Sequence, residues 1–328
     1  MAKRYLLIGP ESSYRERSTD LTRIDISGEG FSEKRPFLFL NEARAGAPSA
    51  SWEDARASSG SIDIIPSYSF VTRLLKHASY QSAAEEVASG IFERTFLHRP
   101  EFEPPSSLSI GIDRDEDIAW REGCICTGVR MAIQKDRGLA FECAFEGGAE
   151  QPGAREAIDA SYFTEWPIVV SPRYSTATPT LLIDGAPADD SIGLFELEFR
   201  WLRGLIFDSR TLDPVAYRDE GRCAVSGSIR WSWSQRTRDR LLAYYAMSQI
   251  SLALEFIGRD LGGGNNERLF LSIPNAIFQG TPPNIRGAGS RLPLQNKFVA
   301  MLDQTIESPY QIETTSTVDE SGTWDNSP

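Results

Sequence analysis

Along most of this chain apolar and polar residues alternate with a period of two. Phe195, Leu197, Phe199 and Trp201 are separated by Glu196, Glu198 and Arg200, and Ile229, Trp231 and Trp233 by Arg230 and Ser232. Phe141, Cys143 and Phe145 alternate with Glu142, Ala144 and Glu146 after the turn Lys135-Asp136-Arg137-Gly138. The same rhythm runs through Leu252, Leu254 and Phe256 and through Leu269, Leu271 and Ile273. Successive strand side chains point to opposite faces, so the pattern predicts strands with one face in a core and one face wet. Helical spacing occurs twice and briefly. Phe70, Val71, Leu74, Leu75 and Ala78 form one stripe; Leu241, Leu242, Tyr245 and Ala246 form another, after the charged turn at 236–240. The expected class is mainly β with two short helices.

The two helices follow two copies of one motif. Ser59-Gly60-Ser61-Ile62 and Ser226-Gly227-Ser228-Ile229 lie 167 positions apart, and 8 of 17 positions are identical between residues 59–75 and 226–242. Average residue usage gives about one identity over such a stretch. The match resumes at Ser107-Leu108 and Ser251-Leu252, after 31 residues (76–106) in the first copy and 8 (243–250) in the second. This predicts two similar β domains. The first covers 1–150 with an extra arm at about 76–106, anchored by Tyr80, Phe92 and Phe96. A Gly- and Pro-containing linker follows at 151–190, then the second domain at 191–312 and a polar tail at 313–328. At 328 residues the chain has the length of two ordinary domains.

Hydrophobic content of 41% and charged content of 24% are those of a globular chain. The longest apolar runs, such as Tyr5-Leu6-Leu7-Ile8, fall far short of the ~20 residues of a membrane helix. Met1-Ala2-Lys3-Arg4 precedes no long apolar stretch, so the expectation is a chain without a secretory signal, kept in a cytoplasm until assembly. Net charge is −12 with a pI near 4.9, which opposes phosphate neutralisation as a binding mode. Basic residues are nearly all arginine, with lysine only at Lys3, Lys34, Lys76, Lys135 and Lys297.

Chemical motifs are sparse. Cys124, Cys126, Cys143 and Cys223 form no CxxC pair and have no histidine cluster beside them; they read as small buried hydrophobes, not zinc ligands. His77 reads as a helix-end residue and His98 as a loop residue. Residues 113–117, Asp-Arg-Asp-Glu-Asp, lack the glycine and final glutamate of a calcium loop and read as a solvated turn. Gly262-Gly263-Gly264-Asn265 lacks the Lys-Ser/Thr of a phosphate cradle and reads as a hairpin tip. No catalytic, cofactor-binding or metal residue is assigned, no cofactor is expected, and the chain does not read as an enzyme.

Taken in order, a Ser-Gly-Ser-Ile strand, a short helix with paired leucines and a Ser-Leu strand lead into the 123–128 strand and residues 139–148. The second copy follows with Pro179–Gly185, Phe195–Phe199, Arg268–Ala276 and Gln295–Ala300. Over roughly 50–150 and 178–305 this resembles the tail tube proteins of long-tailed bacteriophages, of the tandem-domain type. The resemblance implies two β-sandwich or half-barrel domains, each flanked by one short helix, which assemble as stacked rings, trimeric with pseudo-six-fold symmetry. It implies a structural virion protein of the tail, a conduit for DNA ejection assembled in the host cytoplasm. Its implied partners are further copies of itself, the terminator, tape measure and baseplate proteins, and DNA in transit without specific binding; no membrane is involved.

Two expectations follow. Carboxylates on wet strand faces, namely Asp63, Glu142, Glu146, Glu196 and Glu198, are candidates for a wall that repels DNA. Extended pieces at 76–106, 208–220, 281–290 and the tail are candidates for ring stacking. Alternatives are a tail terminator or baseplate adaptor, a carbohydrate-binding β-sandwich virion protein and, least supported, a glycosidase.

Overall fold

The structure, a computed structural model, describes residues 5–34, 37–40, 50–53, 57–64, 66–82, 84–98, 106–113, 117–134, 138–154, 161–162, 180–188, 192–208, 213–232, 242, 245–279 and 293–317. It is mainly β. The first half contains β1 (Tyr5–Pro10), β2 (Thr22–Glu29), β3 (Ser32–Lys34), β4 (Phe37–Leu40), β5 (Ala50–Glu53), β6 (Ala57–Ile64), helix α1 (Tyr68–Ala78), β7 (Tyr80–Gln81), β8 (Glu85–Ala88), β9 (Ile91–Leu97), β10 (Leu108–Asp113), β11 (Asp117–Gln134) and β12 (Gly138–Gly147). There follow β13 (Gln151–Ala154), β14 (Ser161–Tyr162), β15 (Thr180–Ile183), β16 (Ala186–Pro187), β17 (Ile192–Phe207), β18 (Pro214–Ser232), β19 (Gln249–Gly262), β20 (Asn265–Gln279), β21 (Pro293–Ala300) and β22 (Gln311–Ser316).

The pairings repeat as the sequence does. In the first half β6 pairs with β12, β12 with β11 and β11 with β10. In the second, β18 pairs with β21, β21 with β20 and β20 with β19. Register repeats too: Gly60 stands opposite Phe145, and Gly227 opposite Phe298. The strand before each Ser-Gly-Ser-Ile unit joins it through the same irregularity, between Ile26 and Gly28 on β2 and between Ile192 and Leu194 on β17. A bulge at one point in both copies bends both sheets at that point.

The glycine of the motif has a steric reason. A Cβ on Gly60 would meet the Gly30 carbonyl oxygen at 2.7 Å and the Phe31 Cα at 2.4 Å. On Gly227 it would meet the Glu196 carbonyl oxygen at 2.3 Å and the Phe298 ring at 2.4 Å. In both copies the preceding strand runs too close for any side chain.

Strands β1 and β2 complete the first half. β1 pairs with β10 and with β2, and β2 with β6, so six strands form a closed ring of pairings. β1 is thus integral to the fold, and its Leu6, Leu7 and Ile8 are fully buried. The loop leaving β1 is fixed by a buried carboxylate. Glu11 accepts hydrogen bonds from the Ser107 and Ser109 hydroxyls (2.7 and 2.9 Å) and from the backbone N–H groups of Gly123 and Arg15 (2.7 and 2.8 Å). Four donors satisfy a charge that would otherwise be costly to bury.

Helix α1 starts where the Ser67 side chain caps the Phe70 N–H and ends at Ser79, whose extended backbone still donates to Leu75. Its apolar stripe is buried, Leu74 fully and Leu75 to 2% exposure. The counterpart helix falls largely outside the described residues. Where it is described, the expectation of a core-facing stripe is corrected: Leu242 is 55% exposed and Tyr245 57%.

The halves do not have separate cores. Ile62, Leu74 and Phe145 belong to one apolar cluster with Phe199, Phe256, Leu271 and Ile312. Two sets of pairings cross between halves. β17 lies on β11, with Leu194–Arg200 opposite Gly128–Gln134, and β22 lies between β20 and β9. The arm therefore ends in β9, a strand that grips the second half.

Two sequence boundaries are corrected. The stretch 151–190 contains β13, which continues along β11, and β15, which pairs with β19. The polar tail does not begin at 313: β22 runs to Ser316, with Thr314 and Ser316 buried.

Candidate assembly face and open edge

The wet face of the sheet is continuous across both halves. Directly opposed strand residues point the same way, so the register places Asp63 beside Glu142, Glu142 beside Arg130, and Arg130 beside Glu198. Glu196 stands opposite Ser228, which stands opposite Lys297. All five sequence-predicted carboxylates thus share one face, with Glu146 beyond Glu142 on β12. The buried side of the same strands carries Ile62, Phe141, Val129, Leu197 and Ile229.

This face is not purely acidic, which corrects the picture of a repelling wall. Arg130, Arg200, Arg230 and Lys297 are interleaved with the carboxylates. Arg130 lies 3.2 Å from Glu196 and 3.9 Å from Glu142, and Arg200 lies 2.5 Å from Glu198. Exposed pairs of this kind contribute roughly 0–1 kcal/mol each, so their arrangement sets the surface potential more than the stability. The alternation predicted which positions are wet; it did not pair carboxylates with arginines on neighbouring strands. A groove of about 1130 Å³ runs along this face, lined among others by Arg130, Glu142, Glu198, Arg200, Leu202 and Leu302.

Among the described residues, β3 presents one of the open edges of this sheet. β17 uses both its edges over Leu194–Arg200, one on β18 and one on β11. The repeat maps that segment onto residues 28–34. Within these, β3 pairs with β6 alone among the described residues. β4 and β5 likewise pair only with each other. The repeat maps the receiving segment of β11, Gly128–Gln134, onto residues 279–285. Of these, 280–285 lie outside the described residues and include Pro282 and Pro283.

Beneath the face, a buried polar network ties the halves together. Arg203 pairs with Asp219 at 2.8 Å, donates to the Cys126 carbonyl at 2.7 Å and lies over the Trp201 ring. The Tyr310 hydroxyl meets Ser79 at 2.5 Å and accepts from the Trp201 indole at 3.2 Å. Burial pushes the Tyr310 hydroxyl pKa well up. Trp201 is 3% exposed, so it offers no platform for a sugar.

The other singled-out residues do not converge. Cys124, Cys126 and Cys143 are buried, and burial pushes the Cys126 and Cys223 thiols up to about 12. Such thiols are poor nucleophiles and ligands near neutrality. His77 ends α1 with its Nδ1 2.5 Å from Ser106, and His98 stands edge-on to Tyr80. Both are buried, and His98 lies just past β9, outside any strand. Asp113, read as part of a solvated turn, is 1% exposed at the end of β10. Residues 263–264 form the expected hairpin tip. Among the described residues no three His, Cys, Asp or Glu side chains are placed to hold a metal, and no helix is long and apolar enough to cross a membrane.

These features define a mainly β protein with a continuous charged face and an incompletely paired sheet border. No protein-family model matches the chain, and no curated protein matches it.

Proposed function

We propose that this chain is a structural subunit that joins copies of itself edge to edge into closed, stacked rings, as the tail tube of a phage-like particle. DNA passes through without being held. One observation carries the reading: the repeat places β17 against β11 inside the chain, whereas the matching segment of the first half, at β3, is paired on one side only among the described residues. An open strand edge recruits another strand, and a head-to-tail contact that closes leaves no edge free. Two repeats per chain then give three copies for six repeats.

The mixed face suits transit: without a continuous basic groove it gains little from phosphate neutralisation. At a Debye length of about 8 Å its charges act only near contact. The chain supplies surface and shape, with no catalytic step.

Sedimentation and negative-stain microscopy of the full chain test this. Rings or tubes with three chains per ring are expected. Six chains per ring removes the trimer, a discrete single cap points to an adaptor, and a monomer at millimolar concentration overturns the reading.

A further inference from the structure

The two halves differ in sign at the outer ends of their shared wet face. At the first-half end stand Asp63 on β6 and Glu142 and Glu146 on β12. The repeat sets Asp63 against Arg230. Because Gly60 opposite Phe145 matches Gly227 opposite Phe298, it also sets Glu142, Ala144 and Glu146 against Gln295, Lys297 and Val299. Positions that are acidic in one copy are cationic or uncharged in the other. Asp63, Arg230 and Lys297 are exposed, and Arg230 and Lys297 have no ion-pair partner among the described residues. In the middle of the face both signs pair off, Arg130 with Glu196 and Arg200 with Glu198. The strands at the border do not mask the two ends: β3 carries Glu33 and Lys34, one of each sign, and residues 279–285 carry no charge.

We infer that these ends steer the joint between copies, the acidic end of one chain facing the basic end of the next. A head-to-tail contact between identical chains sets first half against second half. On the ring reading β3 and the segment 279–285 lie between them, so β6 of one copy and β21 of the next stand about three strand spacings apart, roughly 14 Å. That exceeds the Debye length of about 8 Å at physiological salt and falls within the roughly 30 Å at 0.01 M. The charges therefore act on encounter and orientation, not as ion pairs in the finished joint. They also set direction. Joining first half to first half, or second half to second half, brings like charges together, and only the head-to-tail order closes a ring. This inference rests on the ring reading and names what orients its joint.

The test uses three variants of the full chain: Glu142→Lys with Glu146→Lys, Arg230→Glu with Lys297→Glu, and all four changes together. Light scattering follows the assembly rate at about 0.01 M salt. Substitutions on the wet face keep the thermal midpoint within about 2 °C of wild type, and a variant that melts lower is replaced by its single change at Glu146 or Lys297. Each two-residue variant should assemble about tenfold more slowly than wild type, and the four-residue variant should return to within about threefold of it. The first variant decides most, because it makes the chain less negative than its −12, and relief of general repulsion alone would speed its assembly. A faster or unchanged first variant overturns the steering and leaves the ring reading standing. So does a difference that persists at about 1 M salt, where the Debye length is about 3 Å. A charge cycle that holds while microscopy shows open chains keeps the steering and removes the ring. A wild type that stays monomeric at every salt concentration removes both.

Discussion

Replacing Gly227 by alanine tests the steric account of the repeated motif. The new Cβ would lie 2.3 Å from the Glu196 carbonyl oxygen and 2.4 Å from the Phe298 ring. The carbonyl belongs to β17, whose ladder to β18 holds Leu197 opposite Gly227 and Glu196 opposite Ser228, so the strand cannot move alone. Phe298 is fully buried and cannot swing away. Overpacking of this kind costs about 3 kcal/mol at the upper end of its range. The lower chain entropy of unfolded alanine offsets up to about 1 kcal/mol of that, leaving about 2 kcal/mol. With an unfolding entropy near 2.1 cal/mol/K per residue, or roughly 0.7 kcal/mol/K for 328 residues, the midpoint falls by about 3 °C. Gly204→Ala is the control, since a Cβ there meets nothing within 4 Å. Calorimetry of the three proteins side by side reads the effect. Equal midpoints for Gly227→Ala and Gly204→Ala would refute the close approach of β17 as the reason for the glycine.

Two further outcomes are expected. Asp219→Ala leaves the Arg203 guanidinium buried without its carboxylate, at a side-chain exposure of 1%; unfolding by urea should show a loss of about 3–5 kcal/mol, and a loss no larger than that of an ordinary surface variant would show that the pair is not needed to hold Arg203 on the Cys126 carbonyl of the first half. Burial, then the nearby Lys76 charge, lowers the His77 pKa from 6.5 to about 3. The folded chain refuses a proton that the unfolded chain takes, so this contribution is complete above about pH 6.5 and is lost as pH falls towards 3. His77→Gln should flatten the stability profile in that window, and an unchanged slope would place the acid sensitivity elsewhere.

Alternation, helix spacing and the Ser-Gly-Ser-Ile duplication are legible in the sequence, and they determined the mainly β class, α1, and the side of each strand that stays wet. Period two says which face a residue takes, whatever strand lies beside it. Partner and register are non-local, so only the tertiary structure decided that β17 crosses onto β11, that the carboxylates share their face with Arg130 and Arg200, and that one core serves both halves. β22 shows the limit most clearly. Gln311-Ile312-Glu313-Thr314-Thr315-Ser316 is too polar to announce a core strand, yet Thr314 is 2% exposed because β20 and β9 take both of its edges. Backbone hydrogen bonding to two neighbours, not side-chain hydrophobicity, holds it inside, and that information lies in residues 45 positions away on β20 and 220 positions away on β9.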